Sequence, residues 1–371
     1  MRVLTVNAGS HSLHLVYVED GNQAQRLDSV EPPGSGAARD AVARFLADQR
    51  SPDAVGHRLV HGGEAVRRSS VVDDRLRGRL DSAGALAPLH VPPALDLLDT
   101  LRARLPRVPH VVCPDTAFHA DLPEVAATFP LPAAWRQRWG LRRYGFHGLS
   151  YAWALRRAAA LMDRPVEQLR VVMAHLGGGC SVCAVRAGRS LDTSMGFTPL
   201  DGVPMGTRSG AVDPGLLLWL LGTEPDGGAR LSVAELADGL NHRSGLLGLS
   251  GGRSNDTRDL VDAAGTDPAA ALALRVFAFR VAREIAAVAA SLDRLDALVF
   301  TGEIGWDQAE VRQAVCAGLT LLGVPSPQRG NRDDDGPVSP AGAAVAVLVV
   351  EPREELQLAA ETVAALEAGK P

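Results

Sequence analysis

The residues best equipped for chemistry are a set of glycine turns and two arginines held among small residues. Asn7-Ala8-Gly9-Ser10-His11-Ser12 and His175-Leu176-Gly177-Gly178-Gly179 each combine glycine with hydroxyl, amide or imidazole donors. Glycine lets backbone N–H groups crowd around an anion, and side-chain donors add to that cradle. Neither stretch has the spacing GxxxxGK[ST] or GxGxxG, which excludes a Walker loop and a dinucleotide-binding turn. Taken singly, each reads first as a plain hairpin turn. Together with a third glycine turn, Thr301-Gly302-Glu303-Ile304-Gly305, they point to nucleotide phosphates.

Arg58 stands just ahead of His61-Gly62-Gly63, and Arg208 lies within Gly206-Thr207-Arg208-Ser209-Gly210. Both offer a planar guanidinium fork that suits carboxylate or phosphoryl oxygens, although a lone arginine more often closes a surface ion pair. Glycines near His147, in Tyr144-Gly145-Phe146-His147-Gly148, are expected to leave its imidazole accessible. Asp115 has the position of a helix N-cap. His57 and His61 have metal-ligand spacing only on a helix, and their β-branched and glycine neighbours argue against one. Cys180 and Cys183, three apart on a strand, point to opposite faces and read as packing residues.

The elements that must position these groups are legible around them. Val3, Leu4 and Val6 run into the first turn and Leu13 to Val18 leave it; Val171 to Met173 and Ser181 to Val185 flank the second. Leu298, Val299 and Phe300 lead into the third. A strand–turn–strand design that returns at mid-chain predicts two related halves. Ala41, Val42, Phe45 and Leu46 predict an amphipathic helix over 38–48, and the alanine-rich 269–292 predicts a long buried one. Alternating strands and helices make this an α/β chain with mixed sheets. Residues 326–336 (SPQRGNRDDDG), 34–36 and 226–228 read as loops.

With 371 residues, 46% hydrophobic and 22% charged, the chain is long enough for two domains. A net charge of −5 gives no footprint for nucleic acid, and no apolar run reaches a membrane-spanning length. Four cysteines are too few for a disulfide framework, so the cytoplasm is the expected compartment.

The stretches VNAGSHSL, GHRLVHGG, APLHVPP, PDTAFH, RRYGFHGLSY, AHLGGGCSV, SLDTSMGFTPLDGVPMGTRSGAVDPG, SGLLGLSGGRSNDTRDL and FTGEIG follow one another in this order. In them the chain resembles the acetate kinase family, within the sugar kinase, actin and Hsp70 superfamily. The resemblance implies a two-lobed, actin-like ATPase (ribonuclease H-like) fold with duplicated mixed-sheet domains. One lobe would hold residues 1–116 plus 355–371 and the other 117–354, closing on the phosphates between them. The implied activity is reversible, Mg²⁺-dependent transfer of the ATP γ-phosphoryl to acetate, giving acetyl phosphate and ADP, in a homodimer.

By the same resemblance, Asp115, His147 and Arg208 fall on catalytic positions, and Arg58 on the substrate-carboxylate arginine. Val60, Leu89, Phe146 and Pro199 are apolar positions for the acetate methyl group. Asn7, Ser10 and Ser12 fall on the first phosphate turn with His14 near the nucleotide phosphates, and His175, Leu176, Gly177, Gly178 and Gly179 fall on the second. Asp256, Thr257 and Arg258, with Glu303, Ile304, Gly305, Trp306 and Asp307, fall on adenosine-side elements. Asn7 and Glu354 match the magnesium residues.

The departures from the family pattern cluster on the donor side. His14 replaces a lysine and Gly178 an asparagine, while Glu303 brings bulk and negative charge to a turn where the family has glycine. A like charge opposes a polyphosphate. Three readings stay open: an ATP-dependent acetate kinase, an acyl kinase with another phosphoryl donor such as pyrophosphate, and a weakly active or non-catalytic paralogue.

Overall fold

The computed structural model describes residues 1–8, 13–29, 35–84, 86–87, 90–224, 227–327 and 334–369. The chain divides into two units, and the first comprises Met1–Asp121, Tyr144–Trp153 and Arg353–Pro371. It therefore takes in Tyr144–Trp153, which the sequence reading assigned to the other lobe.

Its sheet is built from β1 (Arg2–Ala8), β2 (Leu13–Glu19), β3 (Asn22–Ser29), β4 (Ala54–Leu59), β5 (Ser70–Val71) and β6 (His110–Pro114), in the order β3-β2-β1-β4-β6-β5. Two antiparallel hairpin pairings, β1 with β2 and β2 with β3, are followed by β4 parallel to β1 and β6 parallel to β4. Strand alternation sorts the side chains between two faces. Leu4, Val6, Leu13 and Leu15 pack with the helices Gly36–Ala47, Asp74–Gly84 and Val91–Arg104, whereas Val3, Val16 and Val18 pack with Ala359 of the helix Glu354–Ala368. Gly56 lets that last helix approach closely, because a Cβ there would collide with the Thr362 hydroxyl.

The second unit comprises Leu122–Arg143 and Ala154–Pro352. Its strands are β7 (Arg170–Leu176), β8 (Cys180–Arg186), β9 (Arg189–Thr193), β10 (Ala297–Thr301), β11 (Gly336–Pro337) and β12 (Ala346–Val349), in the order β11-β12-β10-β7-β8-β9. Again two antiparallel pairings (β7–β8, β8–β9) are followed by two parallel neighbours (β10, β12) and an antiparallel edge strand. The two sheets have the same strand order and directions, which is the duplication that the sequence predicts.

The long helix runs over Pro268–Ala289, with Asp267 accepting from the Ala269 and Ala270 N–H groups and proline at its first position. Ala270, Ala273, Phe277, Val281, Ile285 and Val288 form its buried stripe. The helix expected at 38–48 spans Gly36–Ala47 and is capped by Ser35. In the loop expected at 326–336, residues 328–333 lie outside the described part, as do Gly34, Pro225 and Asp226, while Gly336 already belongs to β11.

Candidate active site

In the first unit, polar groups gather at the carboxyl ends of parallel strands, where open α/β sheets bind ligands. Arg58 is near the end of β4 and Asp115 immediately follows β6. Arg58 Nε donates to Asp115 Oδ1 and Oδ2 at 3.2 and 3.1 Å, and Nη2 donates to Oδ2 at 2.7 Å. Its Nη1 donates to Asn7 Oδ1 at 2.9 Å and lies 3.5 Å from Glu354 Oε2. Asn7 Nδ2 donates to the same Glu354 oxygen at 3.2 Å. Burial pushes the Asp115 carboxyl upward against the pull of Arg58, and the Glu354 charge pushes the same way.

The 3-10 turn Asp115–His119 continues from this network. Thr116 Oγ1 accepts from the Gly62 N–H at 3.2 Å, which ties the turn to the segment after Arg58 and Val60. Gly148 packs directly on the Asp115 carbonyl, since a Cβ there would collide with it. Next to Gly148, His147 adopts the left-handed region with φ of 58°, which residues other than glycine seldom take. Its side chain is almost completely enclosed, at 9% exposure, so the neighbouring glycines do not open it as the sequence suggested. What they supply is backbone freedom and close approach. Phe146 is buried with its ring edge-on to His61 at 5.4 Å.

His14 pairs with Asn7 across β1 and β2, and its Nδ1 bonds Asp28 Oδ1 at 2.6 Å. Ser10, Ser12 and Leu89 lie outside the described residues.

The second unit carries the remaining groups. Gly177 to Gly179 form the tight turn between β7 and β8, with the Gly177 N–H donating to the Gly179 carbonyl at 3.1 Å. His175 and Leu176 are buried in β7, while Gly178 is exposed with open space around it. The Glu303 carboxylate reaches over Gly177, where a Cβ would strike its Oε2. Glu303, Ile304, Gly305, Trp306 and Asp307 form the short helix Gly302–Asp307 instead of an open turn. Gly302, at φ of 79°, abuts the Leu176 carbonyl and so joins the second and third turns. Arg312, fully buried, donates from Nη1 to the carbonyls of Gly305 and Trp306 at 3.0 and 2.6 Å.

Asp256 is the N-cap of the helix Thr257–Ala263 and holds Arg258 through Nη2–Oδ2 at 2.6 Å. Arg208 sits in a loop closed by the Met205 N–H to Arg208 carbonyl bond of 3.0 Å. Its Nη1 reaches only the Pro199 carbonyl at 3.5 Å and Met205 Sδ at 3.9 Å, so no carboxylate among the described residues neutralises it. Burial pulls the guanidinium below its ordinary value. A half-buried cation without a counter-charge is suited to receive an anion.

All four cysteines are free and buried, and burial pushes each thiol up to about 12. Cys180 and Cys183 are therefore packing residues, and among the described residues no group of three His, Cys, Asp or Glu side chains could hold a metal. Sequence reasoning missed His119 and Asp28, whose partners lie 27 and 14 residues away, and Arg312, whose carbonyl partners six and seven residues back carry no side-chain signal.

The duplicated mixed sheets, with a glycine turn after the first strand of the second, define the actin-like ATPase fold. The chain belongs to the acetokinase family, whose model matches residues 36–360. It is 38% identical to the acetate kinase of Shouchella clausii, with 98% of each chain aligned. Its structure is similar to that of Porphyromonas gingivalis acetate kinase, at a TM-score of 0.87 and 32% identity over 98% of this chain and 99% of that one. It is also similar to a propionate kinase from Francisella tularensis, at a TM-score of 0.86 and 32% identity over 98% and 99%.

Proposed function

We propose that this chain is an acetate kinase: a carboxylate oxygen of acetate attacks the γ-phosphorus of ATP, a new P–O bond forms, and the bond to ADP breaks. The observation that carries this reading is the Arg58–Asp115–Asn7–Glu354 network at the carboxyl ends of β1, β4 and β6. An acetate oxygen carries no proton at neutral pH, so the attack needs no general base. Asp115 instead fixes the plane of Arg58, which receives the substrate carboxylate. His147 and Arg208 supply positive charge and donors to the transferred phosphoryl, the main form of catalysis such a reaction needs. Val60 and Phe146 wall the methyl group. An apolar wall discriminates one methylene by roughly 1–3 kcal/mol, so propionate is a slower second substrate.

Asn7 and Glu354, side by side at 3.2 Å, would supply oxygen ligands to Mg²⁺, a hard cation suited to oxygen, once the Asn7 amide oxygen turns from its bond to Arg58. When bound, Mg²⁺ neutralises phosphate charge. ATP or ADP is held on the Gly177–Gly179 turn and the helices Gly302–Asp307 and Thr257–Ala263. Glu303 over Gly177 favours a second reading, in which another phosphoryl donor such as pyrophosphate replaces ATP.

Exposed Leu218, Trp219, Val233 and Phe279 support assembly as a homodimer. Sedimentation at micromolar concentration tests it. Four buried, unpaired thiols support a reducing, cytoplasmic setting. Trapping acetyl phosphate with hydroxylamine tests the activity.

A further inference from the structure

The turn Asp115–His119 has a chemically capable residue at each end, Asp115 against Arg58 and His119 against Phe146. His119 is fully buried and 3.0 Å from the Phe146 carbonyl through its Nε2. A carbonyl only accepts, so Nε2 carries the proton and donates. The ring is boxed edge-on by Phe118 at 5.3 Å and Tyr151 at 5.7 Å, which leaves it one orientation. The carbonyl it grips belongs to the peptide unit that leads into His147, the residue held at a φ of 58°. On the far side of His147, its own carbonyl accepts from the Tyr151 N–H at 3.0 Å, and Gly148 lies on the Asp115 carbonyl.

A strained backbone persists only where its surroundings over-determine it. Here the restraints converge from one five-residue turn: Asp115 below Gly148 and His119 on Phe146. We infer that His119 is a positioning residue, whose Nε2–H bond to the Phe146 carbonyl holds His147 in its left-handed conformation and at a fixed offset from Asp115.

This inference rests on the proposed part of His147 in phosphoryl transfer. Burial pulls the His119 imidazole down to about 4, so the neutral donor persists at working pH. A neutral amide can substitute for it, and a phenyl ring cannot. His119→Phe keeps an aromatic ring in the box and deletes the donor; His119→Gln restores an N–H able to reach the carbonyl.

The test measures kcat and KM for acetate and ATP in both variants, and again in a His147→Ala background, with melting temperatures alongside. His119→Phe is expected to lower kcat by about tenfold to a hundredfold, the scale of a misplaced catalytic group. Its KM for ATP should stay within about twofold, and His119→Gln should recover most of the loss. In the His147→Ala background, His119→Phe should lower kcat by no more than about a further twofold, because the two act as one unit. A folded His119→Phe protein with wild-type kcat overturns the inference. So does an equal loss in both backgrounds, which would give His119 a route independent of His147. Wild-type kcat in His147→Ala alone would remove the proposed role of His147 and the inference with it. Where His119→Phe fails to fold, His119→Asn, too short to reach the carbonyl, is read by the same criteria.

Discussion

Arg58 lays its guanidinium edge along the Asp115 carboxylate, at 2.7 to 3.2 Å, from one strand to the end of its parallel neighbour. The register sets Arg58 opposite Cys113, so Asp115 comes two residues beyond, where the chain leaves the sheet. Asp115 is buried at 1% exposure, and its charge is tolerated because the guanidinium accompanies it.

Removing one member of such a pair strands the other. Asp115→Ala is expected to destabilise the protein by about 3–5 kcal/mol and to lower kcat/KM for acetate. Urea denaturation and steady-state rates read both. A stable, fully active Asp115→Ala protein would separate this pair from both folding and function.

Arg208 has the opposite character. With no carboxylate holding it, its loss removes charge from the reaction while leaving the described ion pairs of the fold untouched. Arg208→Ala should lower kcat by about 10²- to 10³-fold, with an unchanged melting temperature. Near-normal turnover would remove Arg208 from the mechanism.

The Glu303 carboxylate over Gly177 stands where phosphate oxygens are expected. Like charges at 4 Å repel by about 1 kcal/mol in water and about 4 kcal/mol near a protein surface, so Glu303→Gln should tighten ADP binding by about tenfold. Calorimetric titration measures it. Equal affinities in the two proteins would make Glu303 a neutral surface substitution.

Three neutral histidines are built into the first unit. His57 Nε2 and His110 Nδ1 share a hydrogen bond of 2.9 Å, and burial pulls His57 well down and both His110 and His119 to about 4. In the unfolded chain each takes up a proton near pH 6.5, so the unfolded state binds more protons and stability falls as pH drops from 6.5 towards 4. At about 1.4 kcal/mol per pH unit, His110 and His119 each account for a loss of the order of 3 kcal/mol. Melting curves from pH 7 to 4 should fall steadily over this window; a flat profile would contradict the neutral, buried assignment.

Much of this was legible in the sequence, and the reasons differ by residue. The duplicated sheet shows because strand alternation and the Gly177–Gly179 turn are local signals, written within a few residues. Arg58 and Asp115 are legible as chemistry, but their bond is set by parallel pairing 57 residues apart. His119 reads as an unremarkable buried histidine until Phe146, 27 residues on, is folded against it. Glu303 marks itself as an acid in a glycine turn, yet only the contact of Gly302 with Leu176 brings it over Gly177. The burial of His147 is hidden in the sequence because glycines beside a histidine can serve backbone geometry and close packing as well as exposure.

The central claim is tested most directly by incubating the protein with acetate, Mg²⁺ and ATP in hydroxylamine and measuring acetyl hydroxamate against an acetate-free blank, with a parallel reaction in which pyrophosphate replaces ATP. The account predicts product with ATP that is lost in Arg58→Ala. Product with pyrophosphate alone would assign the Glu303 turn to a different donor, and no product with either would contradict an acetate kinase.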